Sequence, residues 1–195
     1  PTEIAKLSKE ILRNPVRIDV TSEEVTVAKI QQKVVHVKTA QKRAALEHLL
    51  RDESLVRAIV FTRTKHGANK VARQLNASGF VAEVIHGNKS QAARQRALEN
   101  FKSGDAWILV ATDIAARGID IRAISHVFNY ELPHEPESYV HRIGRTARAG
   151  AAGVAWALVD ASEVGRLKAV QRFTKLTLER VTLDLDLDAA TWQLA

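Results

Sequence analysis

The sequence predicts a doubly wound α/β fold, a mostly parallel sheet with helices on both faces, and three observations carry that prediction. Short β-branched, apolar runs alternate with amphipathic stretches along most of the 195 residues. The apolar runs lack a polar side, as strands do when both faces of a sheet are covered. Three of them turn polar at their C-terminal ends, where an open parallel sheet presents its ligand-binding edge. The strand candidates are residues 32–37, 58–62, 82–86, 107–112, 126–132 and 153–159. Between them, residues 40–50, 66–78, 90–102, 136–143 and 162–173 place apolar side chains at steps of three and four, the period of a helix with one buried stripe.

The two ends read differently. Ile4, Leu7, Ile11 and Leu12 form one stripe on a helix that Pro15 must end, and a polar segment follows to about Thr26, so residues 1–26 are expected to be an arm and linker. Residues 27–180 are expected to form the globular domain. Within the remaining 181–195, residues 183–188 alternate Leu and Asp, which suits an edge strand with one wet face.

Composition narrows the function classes. With 46% hydrophobic and 26% charged residues the chain is ordinary for one globular domain with a sizeable core. Lys and Arg total 29 against 22 for Asp and Glu, a formal charge of +7 that favours polyanions such as nucleic acid or nucleotide phosphates. No cysteine is present, which excludes disulfides and thiolate metal sites; no metal site is expected, and the cytoplasm is the default location. No apolar run approaches the ~20 residues of a membrane span, and no membrane role is expected. The chain also contains no Met. An initiator Met removed before Pro1, or a piece of a longer protein, would account for that.

The strand ends supply the candidate chemistry. One ends at Thr62, a second at His86 and Gly87, a third at Thr112 and Asp113. Loops and helix N-termini at such ends offer backbone amides to an anion. Donors stand close behind: Arg63 and Lys65 after the first, Gln91 and Arg94 after the second, Arg117 after the third. Thr62 and Thr112 could also simply cap helices. A further cluster lies in YVHRIGRTARAG, residues 139–150, where Arg142, Arg145 and Arg148 follow His141 at intervals of three. Guanidinium groups crowded this way suit a multiply charged anion, because the rigid fork of donors pairs phosphate oxygens bidentately and keeps its charge.

These residues resemble the C-terminal RecA-like domain of DEAD-box RNA helicases, over nearly the whole chain and in family order. VFTRTK (60–65) resembles motif IV, and HGNKSQAARQRALENFKSG (86–104) resembles the segment with HG, a spacer and Q-x-x-R. ATDIAARGIDI (111–121) looks like motif V, and NYELP with HRIGRTARAG looks like motif VI. The resemblance implies that Arg145 and Arg148 are arginine fingers for ATP held on a partner domain, and that Asp120, with Gly118 beside it, contacts the ribose. It implies that His141 links the ATP site to RNA through the acidic motif of the first domain, with Arg142 supporting that interface. Thr62, Arg63, Gly87, Gln91, Arg94, Thr112, Asp113, Arg117 and Gly118 would line an RNA backbone, with Gln91 orienting Arg94. Hydroxyls, amides and arginines read no bases, so the expected RNA binding is sequence-independent.

One departure stands in motif VI, which usually reads RTGR: Ala147 holds the Gly position, a harmless change if that residue is helical or extended and an awkward one otherwise. No phosphate loop of the form G-x-x-x-x-G-K-[ST], no DEAD and no SAT sequence occur. ATP and Mg²⁺ are therefore expected in a full-length protein that includes the N-terminal RecA-like domain, and this chain alone is expected to hydrolyse no ATP. Pro1 falls where the family has a Pro shortly after SAT, so the chain is expected to begin just beyond that motif. NPVRIDV and motif VI look most like the bacterial RhlE-like subgroup, tied to ribosome assembly or RNA decay, and a monomer is expected. The alternative is a stand-alone RNA-binding or annealing module, which leaves two finger arginines and Asp120 without a purpose.

Overall fold

In the computed structural model, residues 2–13, 16, 30–116, 121, 123–147 and 152–184 are described. The elements in chain order are α1 (Thr2–Ile11), β1 (Ile30–His36), α2 (Lys42–Leu49), β2 (Ala58–Phe61), α3 (Lys65–Ala77), β3 (Ala82–Ile85), α4 (Gln91–Ser103), β4 (Ile108–Ala111), α5 (Asp113–Ala116), β5 (His126–Asn129), α6 (Pro136–Ile143), β6 (Gly153–Val159), α7 (Val164–Thr174) and β7 (Glu179–Arg180). Short 3₁₀ turns at Thr39–Gln41 and Ala161–Glu163 lead into α2 and α7.

The strands form one seven-stranded sheet in the order β3-β4-β2-β5-β6-β1-β7, and every neighbouring pair is parallel. The period-two alternation of a strand sorts its side chains onto two faces. Ala58 and Val60 join Ala45, Leu46, Leu49, Val71 and Leu75 of α2 and α3 on one face. Ile59 and Phe61 join Ala97 and Phe101 of α4 on the other. On that second face, Ala155, Ala157 and Val159 of β6 meet Tyr139 and Ile143 of α6 and Leu167 and Val170 of α7. Each Val, Leu, Ile or Phe among them, fully buried, contributes about 1.5–3 kcal/mol. The sheet is thus covered twice, as the two-sided apolar strands require.

Local signals set the helix limits. Thr64 Oγ1 accepts a hydrogen bond from the Gly67 amide at 3.0 Å and Ser90 Oγ from that of Ala93 at 3.3 Å, so α3 and α4 start behind capping side chains. α4 stops at Gly104, whose φ of +94° is the left-handed turn that glycine takes without strain. Pro136 opens α6 at the first helical position.

Parallel strands bring all their carboxyl ends to one edge. The chain leaves β2 toward α3 on one face, yet leaves its neighbours β4 and β5 toward α5 and α6 on the other. This divergence opens a crevice at the carboxyl end of β2, the position where open α/β sheets bind ligands.

Across the sheet from that crevice, the buried Lys42 ammonium donates to the Tyr130 carbonyl at 3.0 Å and to Glu163 Oε2, and lies 3.5 Å from Asp160 Oδ2. Glu163 Oε1 accepts from the Leu132 amide at 3.0 Å. Burial pushes the Asp160 carboxyl up, but hydrogen bonds from Ser162 and Thr39 and the charge of Lys42 prevail and hold its pKa at about 2. This cluster fastens the ends of β5 and β6 to α2.

The edge strand differs from its expectation. Backbone pairing to Lys33 and Val34 makes Glu179–Arg180 the edge strand, ahead of residues 183–188. Leu183 instead packs partly against the core on the α2 and α3 side, and 185–188 lie outside the described residues. α1 forms as expected, with Leu7, Ile11 and Leu12 exposed; most of the expected linker lies outside the described residues. Among the described residues, no helix is long and apolar enough to cross a membrane.

Candidate functional site

α6 runs back over the sheet and carries Arg142 inward. The Arg142 side chain is only 1% exposed. Its guanidinium donates to Asp113 Oδ1 at 2.5 Å and Oδ2 at 2.8 Å, to Asn129 Oδ1 at 3.1 Å and to the Glu131 carbonyl at 2.6 Å. It also lies over the Phe61 ring, 5.1 Å from the centroid. One buried fork therefore joins the ends of β2, β4 and β5 to α6. Both carboxylate oxygens of Asp113 thus turn to Arg142, and both side chains also line the cleft described next. A buried cation needs such partners, and two strand ends supply them.

With Arg142 held down, the neighbouring side chains of α6 border a cleft. Its walls are Phe61, Asp113, Ala116, Ser138, His141, Arg142 and Arg145. His141 is exposed, and Arg145, half-buried, donates from Nε to the His141 carbonyl at 3.3 Å. Arg148, Arg117, Gly118 and Asp120 lie outside the described residues.

The turn after β2 depends on Glu131, which the sequence reading did not single out. Its carboxylate accepts from the Arg63 amide at 2.9 Å and pairs with the Arg63 guanidinium at 3.2 Å. A polar residue two places after an apolar strand, on the edge that already held the candidates, was the available signal. Thr62 has no exposed surface, and its hydroxyl donates to the Thr64 carbonyl at 3.2 Å. Thr62 thus holds the turn through Thr64, and the residue that caps α3 is Thr64, not Thr62.

The ends of β3 and β4 lie side by side. The Thr112 amide donates to the Ile85 carbonyl at 3.4 Å, and the Thr112 carbonyl accepts from Ala116 at 3.0 Å. His86 is buried; its Nδ1 accepts from the Asn88 amide at 3.3 Å, which leaves Nε2 to donate to Asn69 Oδ1 at 3.1 Å. Burial, with Lys89, Lys65 and His66 nearby, pushes its pKa below the ordinary value, which suits the neutral ring that this bonding requires. Gly87 is exposed, and a Cβ built there would meet nothing within 4 Å. Arg94 is half-buried with its Nε out of solvent and without a hydrogen-bond partner. Gln91, one turn before Arg94 on α4, is exposed.

Ala147 takes the awkward alternative: its φ is +55°, in the left-handed region. An L-residue there costs roughly 1–2 kcal/mol. The methyl is buried in the cluster with Tyr139 and Ile143, which offsets part of that strain.

The model of the helicase conserved C-terminal domain matches residues 41–150. A DEAD-box ATP-dependent RNA helicase CshA from Geobacillus kaustophilus is 45% identical over 187 residues, covering 94% of this chain and 40% of the relative. The chain belongs to the DEAD-box RNA helicases. It is a C-terminal RecA-like domain of that family. The CshA of Bacillus subtilis is 43% identical, with 94% of the helicase domain and 38% of the relative covered. The domain thus spans about 40% of the length of these curated relatives. Among solved structures, Dbp5 of S. cerevisiae bound to RNA and ADP BeF3 superposes with a TM-score of 0.84 at 32% identity, over 97% of this chain and 51% of that one. The E. coli DEAD-box protein SrmB, bound to the regulator of ribonuclease activity A, gives 0.74 at 37% identity, over 80% and 92%. These relatives carry names other than RhlE.

Proposed function

We propose that this domain is one half of an ATP-dependent RNA helicase, in which it presents arginine fingers to ATP held on a second RecA-like domain and forms half of a sequence-independent RNA groove. The observation that carries the reading is the division of labour along α6 and the turn that follows it. Arg142 is consumed by the fold, and His141 and Arg145 are set on the rim of the cleft at the topological switch point. When a phosphoryl group transfers, negative charge spreads over its oxygens, and a cation placed in advance stabilises that charge without reorganising. Arg145 stands at the cleft for this role, and Arg148 follows it in sequence. Asp120 with Gly118 would hold the ribose.

The chain's described residues include no group of three or more His, Cys, Asp or Glu that could hold a metal ion. ATP and its Mg²⁺ would be held chiefly by the second domain, because this sequence lacks a phosphate loop. That is the basis for proposing that the chain alone hydrolyses no ATP. When bound, the nucleotide supplies the bond to be cleaved; this chain contributes cations and closure around it.

The RNA side would lie on the adjoining strand ends. Gly87 offers exposed backbone after β3, Thr112 follows the adjacent β4 and Arg63 follows β2 beyond it, and Arg94 retains an unused donor. Arg117 would extend that row. RNA and ADP BeF3 are bound by the Dbp5 neighbour, which supports both halves of the proposal. A bacterial, cytoplasmic protein acting as a monomer, in the RhlE-like subgroup and in ribosome assembly or RNA decay, completes the proposal.

The test is RNA-stimulated ATP hydrolysis by this chain mixed with, or tethered to, a phosphate-loop domain, with Arg145→Ala and Arg148→Ala as variants. Turnover that requires the second domain and collapses in both variants supports the finger role. Turnover indifferent to both variants favours the RNA-binding module instead.

A further inference from the structure

Thr146 lies between the two proposed finger arginines, yet it faces away from the cleft. Its side chain is fully buried, and its hydroxyl donates to the Ile124 carbonyl at 2.5 Å, with the Ser125 carbonyl at 3.1 Å. Ser125 is itself fixed to the amino end of the sheet: its amide donates to Arg57 at 3.1 Å and its carbonyl accepts from Val154 at 3.0 Å.

The geometry around this contact is unusual on both sides. Ala147, next to Thr146, has a φ of +55°, and Ala123, next to Ile124, has a φ of +61°. A left-handed alanine persists only where its surroundings over-determine it. Two of them flanking one hydrogen bond mark a contact that holds two loops in place. The start of β6 is shaped to receive it. A Cβ built on Gly153 would lie 2.4 Å from Thr146 Oγ1, 2.6 Å from its Cγ2 and 2.8 Å from the Ala147 amide nitrogen. Only glycine lets the turn sit this close to the strand.

The two loops are those of the proposed mechanism. One leads back in sequence from Ala123 to Asp120; the other carries Arg145 and leads on from Ala147 to Arg148. We propose that Thr146 is a positioning residue, whose hydroxyl latches the turn after Arg145 to the Ile124 and Ser125 backbone and so fixes Arg145 at the cleft. This rests on the reading of Arg145 and Arg148 as fingers. Thr146 touches no substrate and acts only through its neighbours.

The experiment uses the two-domain protein with Thr146→Val, which keeps the shape and removes the hydroxyl, Thr146→Ser, which keeps the hydroxyl, and Arg145→Ala. A small displacement of reacting groups lowers turnover by factors of up to ~10². At saturating RNA, Thr146→Val is expected to lower kcat about tenfold with little change in KM for ATP, and Thr146→Ser to restore it. Amide hydrogen exchange should quicken in both 117–124 and 145–150. Native kcat in Thr146→Val beside a collapsed Arg145→Ala, or faster exchange confined to 145–150, would overturn the latch while leaving the fingers intact. Native kcat in Arg145→Ala would instead overturn the finger reading, and exchange alone would then judge the latch. Should Thr146→Val fail to fold, Thr146→Ala, which also removes the hydroxyl, decides. Faster exchange at 145–150 supports the latch, and unchanged exchange there refutes it.

Discussion

Two buried cations lie at the carboxyl edge of the same sheet, and what lies around each differs. Lys42 is enclosed by Glu163, Asp160 and the Tyr130 carbonyl, and joins α2 to the ends of β5 and β6. Arg142 is enclosed by Asp113, Asn129 and the Glu131 carbonyl, and joins α6 to the ends of β2, β4 and β5. Both are paired, as buried charges must be. Arg142 borders an open cleft, with Arg145 on its rim. The contrast teaches that a buried, fully paired charge is a fastening point, and that the proposed function falls to the less buried Arg145 beside it.

Replacing Lys42 by Met sharpens this contrast most. It leaves two carboxylates facing each other without their cation, and a broken buried pair costs about 3–5 kcal/mol. A thermal or denaturant melt should show that loss, with turnover per folded molecule retained. Gly153→Ala comes next: the added methyl has no room beside Thr146 and the Ala147 backbone, and overpacking of this kind costs about 1–3 kcal/mol. A melt measures that as well, accompanied here by lost turnover. Thr39→Val is smaller, about 1 kcal/mol at neutral pH, from one lost hydrogen bond to Asp160. The Asp160 carboxyl has its folded pKa held at about 2, below the ordinary 3.8, so its contribution is full above about 3.8 and is lost as pH falls through about 2. Melts across pH should show the Thr39→Val difference shrinking in that window. Gly87→Ala has the least effect on stability, under about 0.5 kcal/mol, because its site is open. It should weaken RNA binding severalfold by blocking close backbone approach, and a salt-controlled titration with single-stranded RNA reads it.

The contrast also shows how far sequence reaches. Strand runs such as ILVA and the three- and four-residue steps of the helices recur within a few residues of their predicted limits, because burial on two faces or on one stripe is written locally. The strand-end candidates were legible for the same reason. Lys42 was not: it sits in an ordinary amphipathic helix, and its partner Glu163 lies 121 residues away. Arg142 and Arg145 looked equivalent by spacing, yet α6 ends at Ile143, so the second arginine leaves the face that buries the first. The edge strand at Glu179–Arg180 shows no alternation, since backbone bonds to β1 hold it without a buried side chain. The positive φ of Ala147 could be framed as a question from the sequence, but only the packing of its turn against Gly153 answers it.

The most direct test compares Arg142→Ala with Arg145→Ala in the two-domain protein, by melting and by RNA-stimulated ATP turnover. Arg142→Ala is expected to lose about 3–5 kcal/mol of stability. Arg145→Ala is expected to melt close to the native protein and lose ~10³-fold or more in turnover. An Arg145→Ala variant that keeps its turnover, or that melts as low as Arg142→Ala, would contradict the separation of a fastening arginine from a reacting one.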